Sequence, residues 1–207
     1  MQGHDKETRE RLLSTAERLF AERGFSKVTI REICRSAHAN VAAVNYHFSG
    51  KKGLYDEVVR SAIKTMQSTT DSIRDAGSHR PADEQLAAYI SIFLQRVVAA
   101  RDSWIHQLMM RELADPTPAL DLVLKKVVQP RMAYLRDVIA PMLESEPDDA
   151  RVERCAMSIQ AQCLALLTHP VAALRPKSLN ERELEAMAQH IAQFSLGGVR
   201  AIAQRGG

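Results

Sequence analysis

The stretch "VTIREICRSAHANVAAVNYHFSGKKGLY" (28–55) constrains the fold more than any other part of the chain. Thr29 followed by Glu32 forms a capping box, in which a hydroxyl and a carboxylate each satisfy a free helix N–H. Asn40 is a second strong helix starter. The helix from Thr29 places Ile30, Ile33, Cys34 and Ala37 on one face. The helix from Asn40 is short, about two turns. Its inner side is expected to carry Val41, Val44 and Phe48, with Asn45 at the edge, and its outer side Ala42, Ala43, Tyr46 and His47. Ser49 is expected to cap a fourth helix reaching about residue 75, with Leu54, Tyr55, Val58, Val59, Ala62, Ile63 and Met66 as its apolar side.

The rest of the chain reads as helix as well. Leu12, Ala16, Leu19 and Phe20 make an apolar stripe that ends at Gly24. "DAGSHRPAD" (75–83) is the strongest break between two halves. The division expected is 1–50 for a compact N-terminal domain, 51–75 for a connecting helix and 76–207 for a larger helical domain. Beyond the break, amphipathic helices are expected over 83–101, 103–114 and from Pro118 onward, the last kinked or divided at Pro130. "ESEPDDA" (144–150) reads as a loop. Two long helices close the chain, over 150–169 and 181–204, separated by "HPVAALRP" (169–176), and the second opens on a capping box at Asn180 and Glu183. No alternating strand pattern is evident, so the fold class is all-α.

Composition excludes several classes. No stretch approaches the ~18 apolar residues that span a bilayer. The charged start "MQGHDKETRERLL" lacks the apolar core of a signal peptide. Cys34, Cys155 and Cys163 form no CxxC pair, and buried packing is their expected role. A cytoplasmic protein is expected, without metal or cofactor. The net charge is +3, and all of the excess lies in residues 1–60, which hold 11 Lys and Arg against 8 Asp and Glu. That is a mild footprint for a polyanion.

Three short helices, the last two joined by "AHA", make a helix-turn-helix, whose second helix enters the DNA major groove. Small Ala42 and Ala43 permit close approach and contact with thymine methyls. Tyr46, His47 and Lys51 reach toward phosphates, and the helix N-termini at Thr29 and Asn40–Val41 present free N–H groups to an anion. "LFAERGFSKVTIREICRSAHANVAAVNYHFSGKKGLY" resembles the DNA-binding domain of the TetR family of bacterial transcription factors. The resemblance rests on Phe20, the Gly24-Phe25 turn, the Thr29–Glu32 box, Tyr46-His47-Phe48, Lys51 and Leu54-Tyr55. It implies DNA contacts by Thr29, Arg31, Val41, Ala42, Ala43, Asn45, Tyr46, His47 and Lys51, and the helix N-terminus at Asn40 adds that residue to the candidate DNA contacts. "AHAN" departs from the family's usual turn by placing His38 where a glycine is common.

"MMRELADPTPALDLVLKKVVQP" and "SIQAQCLAL" resemble a subgroup with a distinct C-terminal domain, related to regulators of drug sensitivity. The family resemblance implies a homodimer through the last two long helices, a double-stranded operator and a small-molecule effector held in the C-terminal half. Tyr89, Phe93, Trp104, His106, Met109 and Met110 are candidates to line that effector pocket, with ordinary core as the competing role. The function expected is a ligand-responsive repressor on a palindromic operator. The alternatives are a non-specific architectural DNA binder and a non-regulatory helical ligand-binding protein. No hydrolase, metalloprotease, P-loop or dinucleotide motif occurs, so no enzyme is expected.

Overall fold

The computed structural model describes residues 2–100, 103–166 and 180–205, and among them there are helices and turns but no strand. The helices are α1 (Gln2–Lys27), α2 (Ile30–Ser36), α3 (Val41–Phe48), α4 (Lys51–Gly77), α5 (Ala82–Ala99), α6 (Trp104–Ala114), α7 (Ala119–Val123), α8 (Gln129–Ile139), α9 (Ala150–Ala165) and α10 (Glu181–Arg205). A π-helical turn, Leu124–Val128, joins α7 to α8, and a 3-10 turn, Ala140–Leu143, follows α8. The break expected over 169–176 and the end of the helix expected to reach 169 lie outside the described residues.

The chain forms two compact units, 1–66 with 100–124, and 67–99 with 125–207. The division falls inside α4, whereas the sequence places its break at 75–83. In the first unit Leu12, Ala16, Phe20, Ile33, Val44 and Leu54 are fully buried. Phe20, Phe25 and Tyr55 form an aromatic cluster, with Tyr55 centroids 4.9 Å from both phenylalanine rings. Gly24 interrupts α1 with φ 79°, a conformation that glycine adopts without penalty. Near that break Arg111 of α6 donates from Nε to the Ala21 carbonyl at 3.3 Å and from Nη2 to the Glu22 carbonyl. Its neighbour Glu112 is buried, and accepts from the Tyr55 hydroxyl, the Thr117 N–H at 3.2 Å and the Thr117 hydroxyl at 3.0 Å. Burial and this carboxylate push the Tyr55 phenol well above its usual range, so the hydroxyl stays a donor.

In the second unit α10 packs along α5, and α8 along α9. Tyr89 stacks on Phe93 at 5.8 Å and on Tyr134 at 6.2 Å in the middle of its core. The Arg131 guanidinium lies 5.0 Å over the Phe93 ring and 3.4 Å from Thr70 Oγ1. The kink expected at Pro130 takes the form of the π turn just before it. Proline has no N–H to give the carbonyl four residues back. The side chain of Gln67 supplies the donor instead, to the Lys126 carbonyl at 3.2 Å. The Asn180–Glu183 box of α10 is present in both directions, at 2.9 and 3.0 Å.

Ser49 does not start α4. It closes α3 in the left-handed region at φ 58°, its N–H on the Asn45 carbonyl, and Gly50 follows at φ 99°. This tight corner brings Gly53 against the end of α3, where a Cβ would sit 1.7 Å from the Phe48 carbonyl oxygen. Gly53→Ala is therefore expected to lose about 1–3 kcal/mol despite alanine's better helix propensity. A thermal unfolding midpoint equal to or above that of the parent would contradict this account.

Candidate nucleic-acid interface

α2 begins as its capping residues dictate. The Thr29 N–H donates to Glu32 Oε2 at 2.9 Å, and the Glu32 N–H returns a bond to Thr29 Oγ1 at 3.3 Å. Arg23 adds an ion pair to Glu32 at 3.0 Å and donates to the Lys27 carbonyl at 3.1 Å. The bond from the Thr29 backbone, then its hydroxyl and Arg23, pull the Glu32 carboxyl down to about 2. Arg31 stands exposed beside this box.

α3 begins at Asn40, whose Oδ1 accepts from the Ala43 N–H at 2.8 Å. Val44 and Phe48 are buried and anchor it. Asn40, Ala42 and Asn45 are exposed, Ala43 is half-buried, and Tyr46 is 77% exposed. The outward face is thus short-chained apart from one tyrosine. Two residues differ from expectation. Val41, expected inside, is 42% exposed, because the packing that covers Val44 and Phe48 leaves the first turn part open. His47, expected outside, has a side chain only 8% exposed, with Nε2 3.3 Å from Asp5 Oδ1. The reason is helical: 44, 47 and 48 are spaced i, i+3, i+4, so His47 leans to the anchoring side. Lys51 is half-buried, with Nζ 4.4 Å over the Phe25 ring, and burial lowers its pKa while Glu32 opposes that.

Family models match this layout. Residues 12–58 match the bacterial regulatory proteins of the tetR family, and residues 82–199, more than half of the chain, match the C-terminal domain of the HTH-type transcriptional dual regulator CecR. The chain belongs to the TetR family of bacterial regulatory proteins, with a CecR-type C-terminal domain. The second match bears out the resemblance of the C-terminal half to a distinct subgroup. Both families are described as those of regulatory proteins. Among curated proteins, the chain is 34% identical to YttP of Bacillus subtilis (strain 168) over 79 residues, 38% of each chain. It is 25% identical to the HTH-type transcriptional regulator TtgR of Pseudomonas putida over 108 residues, 50% of each. The chain therefore spans half or less of the length of these relatives. Among solved structures it is similar to the TetR-family regulator SCO4454 of Streptomyces coelicolor, with TM-score 0.67 and 21% identity over 94% of this chain and 97% of that one. It is also similar to AibR, solved with isovaleryl coenzyme A and operator DNA, with TM-score 0.65 and 15% identity over 92% and 97%.

In this TetR-family head, α1 supplies contacts that no local sequence signal shows. Asp5 holds His47. Arg9 lies 5.2 Å over the Phe48 ring and pairs with Glu57 of α4 at 2.8 Å. Arg11 donates to the Ala37 carbonyl at the end of α2, at 3.3 Å. Each bridges residues far apart in sequence, so only the packing reveals them. Of the candidate pocket residues, Tyr89 and Phe93 belong to the second unit and are fully buried, while Trp104, His106, Met109 and Met110 belong to α6 in the first and are half-buried. Cys34, Cys155 and Cys163 are free and buried, and burial pushes the Cys163 thiol up to about 12. Among the described residues no helix is long and apolar enough to cross a membrane, and no group of His, Cys, Asp or Glu could hold a metal ion.

The capping box makes a pH prediction. The folded Glu32 pKa lies below its ordinary 4.5. Its contribution to stability is therefore complete above that value and is lost as pH falls toward about 2. Glu32→Gln is expected to flatten the stability loss between pH 4.5 and 2, and Thr29→Ala to cost about 1 kcal/mol at neutral pH. Denaturant titrations of the three proteins at several pH values check both, and an unchanged acid slope in Glu32→Gln would contradict the box.

Proposed function

We propose that the protein is a ligand-responsive transcriptional repressor that binds a palindromic DNA operator as a homodimer in the cytoplasm. The observation that carries this reading is the outward face of α3. It is capped at its N-terminus, anchored from behind by Val44 and Phe48, and made of Ala42, Ala43, Asn45 and Tyr46. Such a face fits a major groove closely, and Thr29, Arg31, Asn40, Val41 and Lys51 stand around it for phosphates and base edges. Few of these groups form bidentate base contacts, so selectivity leans on Asn45, Arg31, methyl contacts and DNA shape.

Homodimerisation through α9 and α10 is supported by the surface they present. Phe194 is 66% exposed and Met157 58%, with Leu164 and Ile202 also open to solvent. A groove of about 310 Å³ runs between the two helices, lined in part by Cys155, Ile159, Phe194, Gly198 and Ile202. A Cβ at Gly197 or Gly198 would meet nothing within 4 Å, so the helix leaves open space there for a close neighbour. A two-fold dimer would set two α3 helices about 34 Å apart, one turn of DNA.

Effector control and repression are each supported by a precedent. AibR, which shares the fold, was solved with both isovaleryl coenzyme A and operator DNA, and IcaR of Staphylococcus aureus, 31% identical over 52 residues, is a negative transcriptional regulator. Within the first unit, Trp104, His106, Met109 and Met110 of α6, all half-buried, are the proposed contributors to the effector site.

Ala43→Glu places bulk and charge on the groove face at a half-buried position. It is expected to abolish selective DNA binding while circular dichroism stays unchanged. Phe194→Asp is expected to yield a folded monomer by analytical ultracentrifugation, with DNA affinity reduced at least ~10-fold, since each half-site then binds alone. Asp5→Asn is expected to strengthen binding, because His47 reaches a phosphate only by leaving Asp5 and a negative charge near the duplex is removed. A dimeric Phe194→Asp or a DNA-binding Ala43→Glu would contradict the proposal.

A further inference from the structure

We propose a second small-molecule site in the first unit, separate from the effector site of the proposed function, that takes a compact aromatic carboxylate. A pocket of about 260 Å³ lies between the first turns of α4 and the start of α7. Phe25, Tyr55 and Val59 line one side of it, and Pro118, Ala119 and Leu122 the other. Thr117, Lys52, Asp56 and Arg60 complete the lining.

The interior is apolar for a specific reason. Two of its lining residues carry hydroxyls, Tyr55 and Thr117, and both donate to the buried Glu112, which does not line the pocket. With both hydroxyls engaged on Glu112, neither is free to anchor a ligand. The polar anchor must therefore come from the charged side chains. Lys52 and Asp56 neutralise each other at 3.0 Å. Arg60 is different: it shares the Glu57 carboxylate, at 2.9 Å, with Arg9, at 2.8 Å. Two guanidinium groups thus divide one carboxylate, and Arg60 keeps donors in solvent, its side chain 58% exposed. A ligand carboxylate would complete that charge balance, and the planar guanidinium suits it. The volume equals roughly nine waters, enough for a bicyclic acid and too little for a coenzyme A thioester.

The pocket also has a route to DNA. Phe25 packs against Tyr55 at 4.9 Å and carries Lys51 Nζ on its face at 4.4 Å. A ligand against Phe25 and Tyr55 disturbs the support of Lys51 and adds a negative charge beside the start of α4. Both effects weaken phosphate contact, so occupancy lowers DNA affinity.

The test uses full-length protein, 2-naphthoate as the probe and 2-naphthylmethanol as its neutral counterpart, in calorimetric titrations with parallel DNA binding. Saturable naphthoate binding is expected with a dissociation constant of about 1 mM. Ala119→Trp, which fills the pocket from one side, is expected to abolish it. Arg60→Gln is expected to weaken naphthoate about five-fold and leave the alcohol unchanged. Saturating naphthoate is expected to lower DNA affinity about five-fold in the parent protein only. No saturable binding up to about 10 mM, binding that survives Ala119→Trp, equal loss of acid and alcohol in Arg60→Gln, or DNA affinity indifferent to bound naphthoate would each overturn the proposal. If Ala119→Trp fails to fold by circular dichroism, the acid-to-alcohol comparison in Arg60→Gln decides. DNA binding without naphthoate is read in the same series, so failure of the regulator reading shows separately.

Discussion

The DNA-reading face of the first unit depends on Val44 and Phe48 being buried. α3 runs only from Val41 to Phe48, and helices shorter than about 12 residues are not stable alone in water. Its outward face therefore exists because its inward face is held. Burial of those two side chains holds the helix down. The Gly53 contact at the Phe48 carbonyl fixes where it ends, and Arg9 over the Phe48 ring fixes its approach to α1. A face meant to enter a groove cannot carry the apolar residues that would stabilise it, so neighbouring elements supply the stability.

The same logic extends to residues with no place on that face. Arg111 and Glu112 are adjacent on α6, yet one holds carbonyls near the end of α1 and the other the Tyr55 hydroxyl of α4. Between them they tie α6 to the helices that flank Phe25, and Phe25 in turn supports Lys51. Polar groups buried this way are stabilising only while every partner is present. A carboxylate as deep as Glu112 is tolerated because three donors converge on it.

Features governed by neighbours in sequence were legible without coordinates. The boxes at Thr29 and Asn180, the cap at Asn40, the stop at Gly24 and the disturbance at Pro130 all depend on residues a few positions apart. Other features depend on packing, and there the reading failed or was silent. Ser49 resembles an N-cap by residue type, but the corner into α4 needed a left-handed residue at the end of α3. His47 counted as outward by polarity, while its i, i+3 relation to Val44 and the carboxylate of Asp5 draw it inward. His38, by contrast, was legible: it stands where the family commonly uses glycine and takes the left-handed turn at φ 50°, a conformation that histidine tolerates. The form of the Pro130 kink, a π turn whose freed carbonyl is met by Gln67, depended on a residue far away in sequence.

The central claim is that α3 reads DNA from two subunits at once. Hydroxyl-radical footprinting of the full-length protein on the DNA upstream of its own gene tests it most directly. The account predicts protection confined to one segment, with two symmetric windows about one helical turn apart, retained at moderate salt. Uniform protection along the fragment that disappears as salt rises, or a single unpaired window, would contradict it.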